Sequence, residues 1–149
     1  MDIYSPAKRS AIMSRIRSSD TKPEVRLRKA LFARGFRYRK NVRRLPGTPD
    51  IVLRRDRYVI QIRGCFWHVH PHCSRAHTPA SNQDYWLQKL KRNIRRDQVA
   101  DKALRAAGWR VRVVWECALA SAPKVQKTAD RISADIKRRR RKRPHDQRR

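Results

Sequence analysis

The sequence predicts a mixed α/β domain in which a central sheet is flanked by helices. Short β-branched runs indicate strands, and segments with apolar residues at helical spacing lie before, between and after them. A chain of 149 residues is long enough for one such domain around one core. We therefore expect a single functional site.

The first half of the chain predicts two helices and then strands. Residues 5–17 are typical of a short basic helix, or of an arm that becomes ordered on DNA. A second helix begins near Thr21, which can cap it, with Glu24 at the capping-box position, and Gly35 ends it. The alternating residues 36–42 indicate an edge strand, and residues 50–53 and 58–62 indicate a β-hairpin.

The second half begins with a loop. Residues 64–80 are dense in Cys, His, Pro and Trp and lack periodicity, which is typical of a loop folded around an ion. Helical spacing returns at Ser81 with Trp86, Leu87, Leu90 and Ile94 as an apolar stripe, and a second helical stretch ends at Gly108.

The remaining residues predict a strand, a helix and a tail. Residues 109–115 indicate a buried strand that includes Trp115, and residues 123–137 indicate an amphipathic helix. We therefore divide the chain into an N-terminal DNA-contacting arm (1–20), a folded domain (21–137) and a basic, disordered tail (138–149).

The charge balance favours a polyanionic partner. The chain has 40 Lys and Arg against 12 Asp and Glu, a net charge of +28, and nucleic acid best offsets such an excess. A solubilising role or an anionic membrane surface is the alternative. No apolar run approaches the roughly 20 residues that span a bilayer, and the N-terminus lacks a signal core, so we expect a cytoplasmic protein.

Five cysteines and histidines predict a structural zinc site. An odd number of cysteines in a reducing compartment disfavours a disulfide framework. Thiolates and imidazoles are the ligands that tetrahedral zinc prefers. Cys65 and Cys73 would anchor the site, with His70 or His72 between them and Cys117 completing it. The alternative is that Cys117 is an apolar core residue and the histidines are solvated.

Three other residues offer catalytic groups, each with a structural alternative. Asp50 opens a strand where it could bind a divalent cation, although an Asp beside Pro is more often a turn residue. His68 could activate water or bind metal. Glu24 could lie near a metal or simply cap its helix.

The adjacent aromatic residues Phe66 and Trp67 suggest a DNA wedge. Two large neighbouring aromatics in a polar loop are not expected to face one core. Inserting apolar side chains costs a few kcal/mol per base step and costs least where pairing is already defective. For Trp86, core packing and DNA contact compete evenly, whereas Trp115 is predicted to be core.

Three segments together carry a family resemblance: residues 45–50, 64–68 and 109–117. From about Ala7 to Leu119 the chain resembles the very-short-patch-repair (Vsr) mismatch endonucleases. The resemblance implies a restriction-endonuclease-like fold, with residues 21–137 as the endonuclease domain. It implies a magnesium-dependent nick in one strand, 5′ to the thymine of a T:G mismatch, which initiates very-short-patch repair of deaminated 5-methylcytosine.

The resemblance also implies roles for individual residues. Asp50 matches a magnesium ligand, joined by a backbone carbonyl near Ile62; His68 matches the catalytic histidine and Glu24 an acidic residue near the metal. The implied zinc ligands are Cys65, His70, Cys73 and Cys117, with His72 as the alternative to His70. The implied mismatch wedge is Phe66, Trp67 and Trp86.

The chain departs from the family pattern beside this site. Ile62 stands where the best-known member has a threonine, which a backbone-carbonyl ligand tolerates, and Arg63 replaces a histidine or an acid. We expect Arg63 to contact the scissile phosphate. We expect a monomer on T:G-mismatched double-stranded DNA in the nucleoid, with mismatch-repair proteins as possible partners. The alternatives are a restriction-type enzyme for matched sites and a non-catalytic zinc-bearing DNA-binding module.

Overall fold

A four-stranded sheet forms the centre of the computed structural model, which describes residues 20–143. The strands lie in the order β1 (Arg39–Lys40), β2 (Ile51–Leu53), β3 (Tyr58–Arg63) and β4 (Arg110–Trp115). β2 is antiparallel to β1 and to β3, whereas β3 and β4 are parallel. The sheet is therefore mixed, as the sequence predicts.

Helices cover both faces of this sheet. They are α1 (Lys22–Ala33), α2 (Gln83–Ala106) and α3 (Ala122–Lys142). Ile51 and Leu53 point into a core with α1 and α3, and Val52, between them, packs with Leu104 of α2 on the opposite face. This alternation follows from the two-residue period of a strand. The predicted α/β architecture, a central mixed sheet flanked by helices, is confirmed.

The predicted hairpin is confirmed, and the predicted edge strand is shorter than expected. Ile51 pairs with Ile60 and Leu53 with Tyr58, and a 3₁₀ turn at Arg54–Asp56 joins the two strands. Only Arg39–Lys40 of the predicted strand 36–42 pair with β2. Asn41 adopts a left-handed φ of 49°, which ends the regular ladder, while the N–H groups of Asn41 and Val42 still donate to the carbonyls of Asp50 and Pro49.

The start of α1 differs from the predicted capping box. Thr21 occupies the N-cap position, but its side chain makes no capping hydrogen bond. Glu24 instead accepts a hydrogen bond from the backbone N–H of Asp20 at 3.0 Å, one residue earlier than predicted. At the other end Gly35, at φ +88°, ends the helix as predicted.

The two helical stretches predicted after residue 81 form one continuous helix, α2. Trp86, Leu90 and Leu104 are buried along it. Leu87 is 45% exposed, so its predicted place in the apolar stripe is wrong. The helix stops before Gly108, whose φ of +90° suits glycine.

The last helix runs past its predicted end at residue 137 and reaches Lys142. The predicted start of a disordered tail at residue 138 is therefore wrong. The carboxylate of buried Asp56 binds Arg140 through two hydrogen bonds of 2.7 and 2.9 Å, which holds this basic turn against the sheet. Residues 1–19 of the predicted N-terminal arm (1–20) and the end of the predicted tail (144–149) lie outside the described residues. Within residues 20–143, no helix combines the length and the apolar character that crossing a bilayer requires.

Candidate active site and metal cluster

A cleft of about 880 Å³ lies where several elements meet. It is lined by the start of α1, the loop before β2, the end of β3, the segment that follows β3, and one side of α2. Asp50, His68 and Glu24, which are distant in sequence, all line it. The structure therefore brings the three predicted catalytic residues to one place.

Asp50 is held across the sheet rather than in its own turn. Its Oδ2 accepts a hydrogen bond of 2.7 Å from the backbone N–H of Ile62 on β3. The interpretation of Asp50 as a turn residue bonded to its neighbouring backbone is therefore wrong. Its other carboxylate oxygen has no hydrogen-bond partner within residues 20–143.

The surroundings of Asp50 oppose its ionisation. Burial is the main cause, and with the negative charge of Glu24 it raises the pKa of Asp50 to about 6. The Ile62 N–H and the charges of His68 and Arg28 act in the opposite direction but do not cancel the effect. A divalent cation would reverse this balance, and carboxylate oxygen is a ligand that Mg²⁺ prefers.

Glu24 has a structural contact at the start of α1 and also faces the cleft. It closes the start of α1 by accepting the Asp20 N–H, and it lines the cleft. Its side chain is buried, with Arg28 Nη1 at 3.5 Å, and burial raises its pKa. A second carboxylate therefore stands close enough to Asp50 to act on its pKa.

His68 is paired with a carboxylate that sequence reasoning missed. Its Nδ1 lies 2.6 Å from Oδ2 of Asp97 on α2. Such a partner orients the ring and stabilises the positive charge that forms when the ring takes a proton. With Nδ1 engaged, Nε2 is the ring nitrogen left to accept a proton.

One polar stripe of α2 supports the whole segment around His68. Asn93, Asp97 and Asp101 recur every four residues and so share one face of the helix. Asn93 donates a 2.9 Å hydrogen bond to the carbonyl of Trp67, and Asp101 binds Arg63. The sequence did carry a signal: these residues interrupt the stripe on which Leu90 and Leu104 are buried.

Arg63, the predicted phosphate contact, is engaged by two carboxylates of α2. Its Nη2 lies 2.8 and 2.7 Å from the two carboxylate oxygens of Asp101, and its Nε lies 3.6 Å from Asp97. Only 12% of the side chain is exposed. The predicted phosphate contact would require this arrangement to open. The cleft is also lined by the cationic residues Lys22, Arg43 and Arg96.

A second cluster beside the cleft has the donor set of a metal site. The ligand atoms of Cys65, His70, Cys73 and Cys117 all lie within 4.8 Å of one another. Three sulfurs and one imidazole nitrogen at this separation fit tetrahedral zinc, whose Zn–S bonds are about 2.3 Å. His72 is exposed and outside the cluster, so the structure favours His70 of the two candidates.

Cys117 in this cluster and Trp115 beside it correct sequence-based interpretations. Cys117 is half-buried with its Sγ 3.5 Å from Nδ1 of His70, so it is not simply an apolar core residue. Trp115, predicted to be core, is half-buried, and its ring stacks on His70 with centroids 4.2 Å apart. Burial raises the pKa of the Cys65 thiol to about 11, so three thiolates at this point need a cation beside them.

The aromatic residues of the loop form one cluster with α2. The ring centroid of Phe66 lies 4.9 Å from that of Trp67 and 5.4 Å from that of Trp86. Neither Phe66 nor Trp67 is among the residues of the two hydrophobic cores, which agrees with the expectation that they do not both face one core. Trp86 is only 4% exposed and lies at the base of the cluster, and its Nε1 has no hydrogen-bond partner among residues 20–143. Phe66 and Trp67 are partly exposed above it.

Comparisons with known proteins identify the family of the chain. Residues 1–75 match the family described as DNA mismatch endonuclease Vsr. The chain is 46% identical to the type II nicking enzyme V.NmeAIP of Neisseria meningitidis, over 91% of this chain and 96% of that protein. It is 42% identical to the DNA mismatch endonuclease Vsr of Escherichia coli, over 79% of this chain and 75% of that protein. With so much of each relative covered, the chain belongs to the Vsr family of DNA mismatch endonucleases.

Proposed function

We propose that this protein is a magnesium-dependent DNA endonuclease that nicks one strand 5′ to the thymine of a T:G mismatch. The observation that carries the proposal is the convergence of Asp50, Glu24 and the His68–Asp97 pair on one cleft. The names of the relatives, a mismatch endonuclease and a nicking enzyme, support it. A restriction-endonuclease-like arrangement of the mixed sheet is part of the same proposal.

The two metal sites would have different tasks. Asp50, whose second oxygen is available, would hold Mg²⁺ together with the backbone carbonyl of Ile62. When bound, this ion would neutralise charge that develops on the phosphate. Zinc held by the cluster of Cys65, His70, Cys73 and Cys117 would keep the loop rigid.

The side chains would carry out hydrolysis of one phosphodiester bond. His68 accepts a proton from a water molecule, whose oxygen attacks the phosphorus. The bond between phosphorus and the 3′ oxygen breaks, and that oxygen takes a proton from solvent. The products are a 3′-hydroxyl and a 5′-phosphate, and Asp97 stabilises the positive charge on His68 while the bond breaks.

Mismatch recognition would come from the aromatic cluster. Phe66 and Trp67, which are partly exposed, would enter the base stack where T:G pairing is defective. Trp86 would support these two rings from the base of the cluster, or would itself enter the base stack after the cluster rearranges. On this proposal the protein acts as a monomer on nucleoid DNA in the cytoplasm, initiates very-short-patch repair of deaminated 5-methylcytosine, and meets other mismatch-repair proteins there.

A nicking assay tests the proposal. We expect the full-length protein with Mg²⁺ to nick a T:G duplex in one strand and to leave the matched duplex intact, and we expect Asp50→Asn to bind both duplexes without nicking. Double-strand cleavage of matched DNA would identify a restriction-type enzyme instead. Binding without any Asp50-dependent cleavage would identify a non-catalytic DNA-binding module.

A further inference from the structure

Arg63, at the end of β3, lies between two carboxylates of α2. Asp97 and Asp101 stand one helical turn apart and both face the guanidinium. The Asp97 oxygen that lies 3.6 Å from Arg63 Nε is Oδ2, the same atom that lies 2.6 Å from Nδ1 of His68. The four residues therefore form one continuous row of side-chain contacts, in the order Asp101, Arg63, Asp97 and His68.

Burial limits the motion of the Arg63–Asp101 pair within this row of contacts. The side chains of Arg63 and Asp101 are 12% and 10% exposed, so their ion pair is screened less than a surface pair. The guanidinium is held at two points, because Nη2 contacts both oxygens of Asp101 and Nε lies beside Asp97. Arg63 therefore presents its Nε to Asp97 in one orientation.

Without Arg63, the two carboxylates would face each other across one turn of helix and repel. Repulsion would then favour rotation of Asp97 away from Asp101, and the hydrogen bond between Asp97 and His68 would lose its alignment. The positive charge of the guanidinium offsets that repulsion. Its Nε also lies beside Oδ2 of Asp97, the atom that contacts His68.

We propose that Arg63 and Asp101 are a positioning pair for the His68–Asp97 dyad, and that Arg63 is not a ligand of the scissile phosphate. The inference deepens the proposed function and rests on it, because the dyad matters only if His68 takes a proton from water. The phosphate contact then falls to less engaged cations of the cleft, of which Arg43 is an exposed example.

The test separates binding from the chemical step. For Arg63→Met and Asp101→Asn, we expect the single-turnover nicking rate at saturating protein to fall about 10- to 100-fold, the usual effect of losing an outer-shell partner. The Kd for the T:G duplex, and its dependence on salt, should stay unchanged. Arg43→Met is the matched contrast: it should weaken binding and reduce the salt slope by about 0.9, as loss of one phosphate contact does.

A double-mutant cycle excludes a merely structural role. In an Asp97→Asn background, Arg63→Met and Asp101→Asn should have little further effect on the nicking rate, because the dyad is already broken. A general loss of folding would slow both backgrounds equally and would lower Tm. If Arg63→Met fails to fold, the isosteric variant Asp101→Asn alone tests whether the pair positions the His68–Asp97 dyad.

A spectroscopic measurement provides a readout that does not depend on activity. The Nδ1 proton of His68, shared with Asp97, should give a downfield NMR resonance in the wild type that shifts or broadens in Asp101→Asn. An unchanged resonance with an unchanged nicking rate would overturn the inference while leaving the proposed function intact. A reduced salt slope in Arg63→Met would overturn it in favour of a phosphate contact. A wild-type protein that never nicks T:G DNA would refute the proposed function instead.

Discussion

Asp50 is a carboxyl group whose surroundings oppose its negative charge. Its pKa lies at about 6 instead of 3.8, mainly because the side chain is buried. The folded protein therefore holds the proton more tightly than the unfolded chain does. This contribution to stability is fully present below about pH 4 and is lost as the pH rises through about 6.

We predict that Asp50→Asn stabilises the magnesium-free protein at pH 8. The difference between 3.8 and about 6 corresponds to roughly 3 kcal/mol, an upper limit for the gain in unfolding free energy. At pH 4 the gain should vanish. Thermal unfolding of both proteins without added magnesium, at the two pH values, measures it.

Adding magnesium provides the complementary measurement. The ion should raise the Tm of the wild type at pH 8 and leave Asp50→Asn unchanged, because the variant lacks the negative charge that attracts it. Asp84→Asn, which removes an exposed carboxylate on α2, is the control and should show neither effect. An equal response of wild type and Asp50→Asn to magnesium would place the ion elsewhere.

Among the structural elements, the loop between β3 and α2 is the one that carries the Cys/His cluster of a candidate metal site. It has no regular secondary structure between Gly64 and Asn82, and its Cys and His side chains converge instead. A loop of this kind has few backbone hydrogen bonds to hold it when no ion is bound.

We predict that His70→Ala and Cys73→Ala lose zinc and His72→Ala keeps it. Ligand loss should reduce zinc affinity at least a hundredfold, since outer-shell changes alone cost about 10- to 100-fold. Metal content of the purified variants, together with their Tm, measures this. Full zinc occupancy in His70→Ala would restore His72 as the ligand.

The aromatic cluster of the same loop leads to a second prediction at this scale. We expect Phe66→Ala and Trp67→Ala to reduce the preference for T:G over matched duplex by on the order of tenfold, since stacking on a base contributes about 1–3 kcal/mol. General affinity should change less, because basic residues contact the phosphates. Competition binding with both duplexes measures the ratio.

The control for this prediction is an aromatic residue of another helix. Phe32 on α1 is 53% exposed and is not among the residues that line the cleft. Phe32→Ala should therefore leave the T:G preference unchanged. An equal loss of affinity for both duplexes in the Phe66 and Trp67 variants would contradict a role in recognition.

At the scale of the whole molecule, the basic end of the chain is part of the fold. Asp56, which is 4% exposed, lies in the β2–β3 turn and binds Arg140 on α3. Arg143 also donates a hydrogen bond to the backbone carbonyl of Asp56. The turn of one hairpin thus anchors the last turn of the last helix.

We predict that Arg140→Ala lowers the unfolding free energy by about 1–3 kcal/mol, because it leaves a buried carboxylate without its main partner. Lys142→Ala, at an exposed position in the same turn, should change it by less than about 0.5 kcal/mol. Urea unfolding of the two variants and the wild type measures the difference. Equal stabilities would mean that the end of α3 does not depend on this pair.

Much of the architecture could be predicted because it follows from local patterns. The alternation in β2 and β3 placed Ile51 and Val52 on opposite faces, and glycines marked helix ends. Local patterns failed where a contact with a residue distant in sequence determines the structure. The end of α3 depends on Asp56, and the exposure of Leu87 depends on which side of α2 meets the sheet.

The sequence by itself determined the kind of chemistry: a strongly basic chain with a Cys/His loop, an aspartate that opens a strand, and a histidine in the loop. Only the tertiary structure chose His70 over His72 in the cluster, joined Asp97 to His68 and enclosed Arg63 between two carboxylates. The physical reason is that residue types and spacing limit what a group can do. The partner of that group, its burial and hence its charge depend on contacts between elements that are distant in sequence.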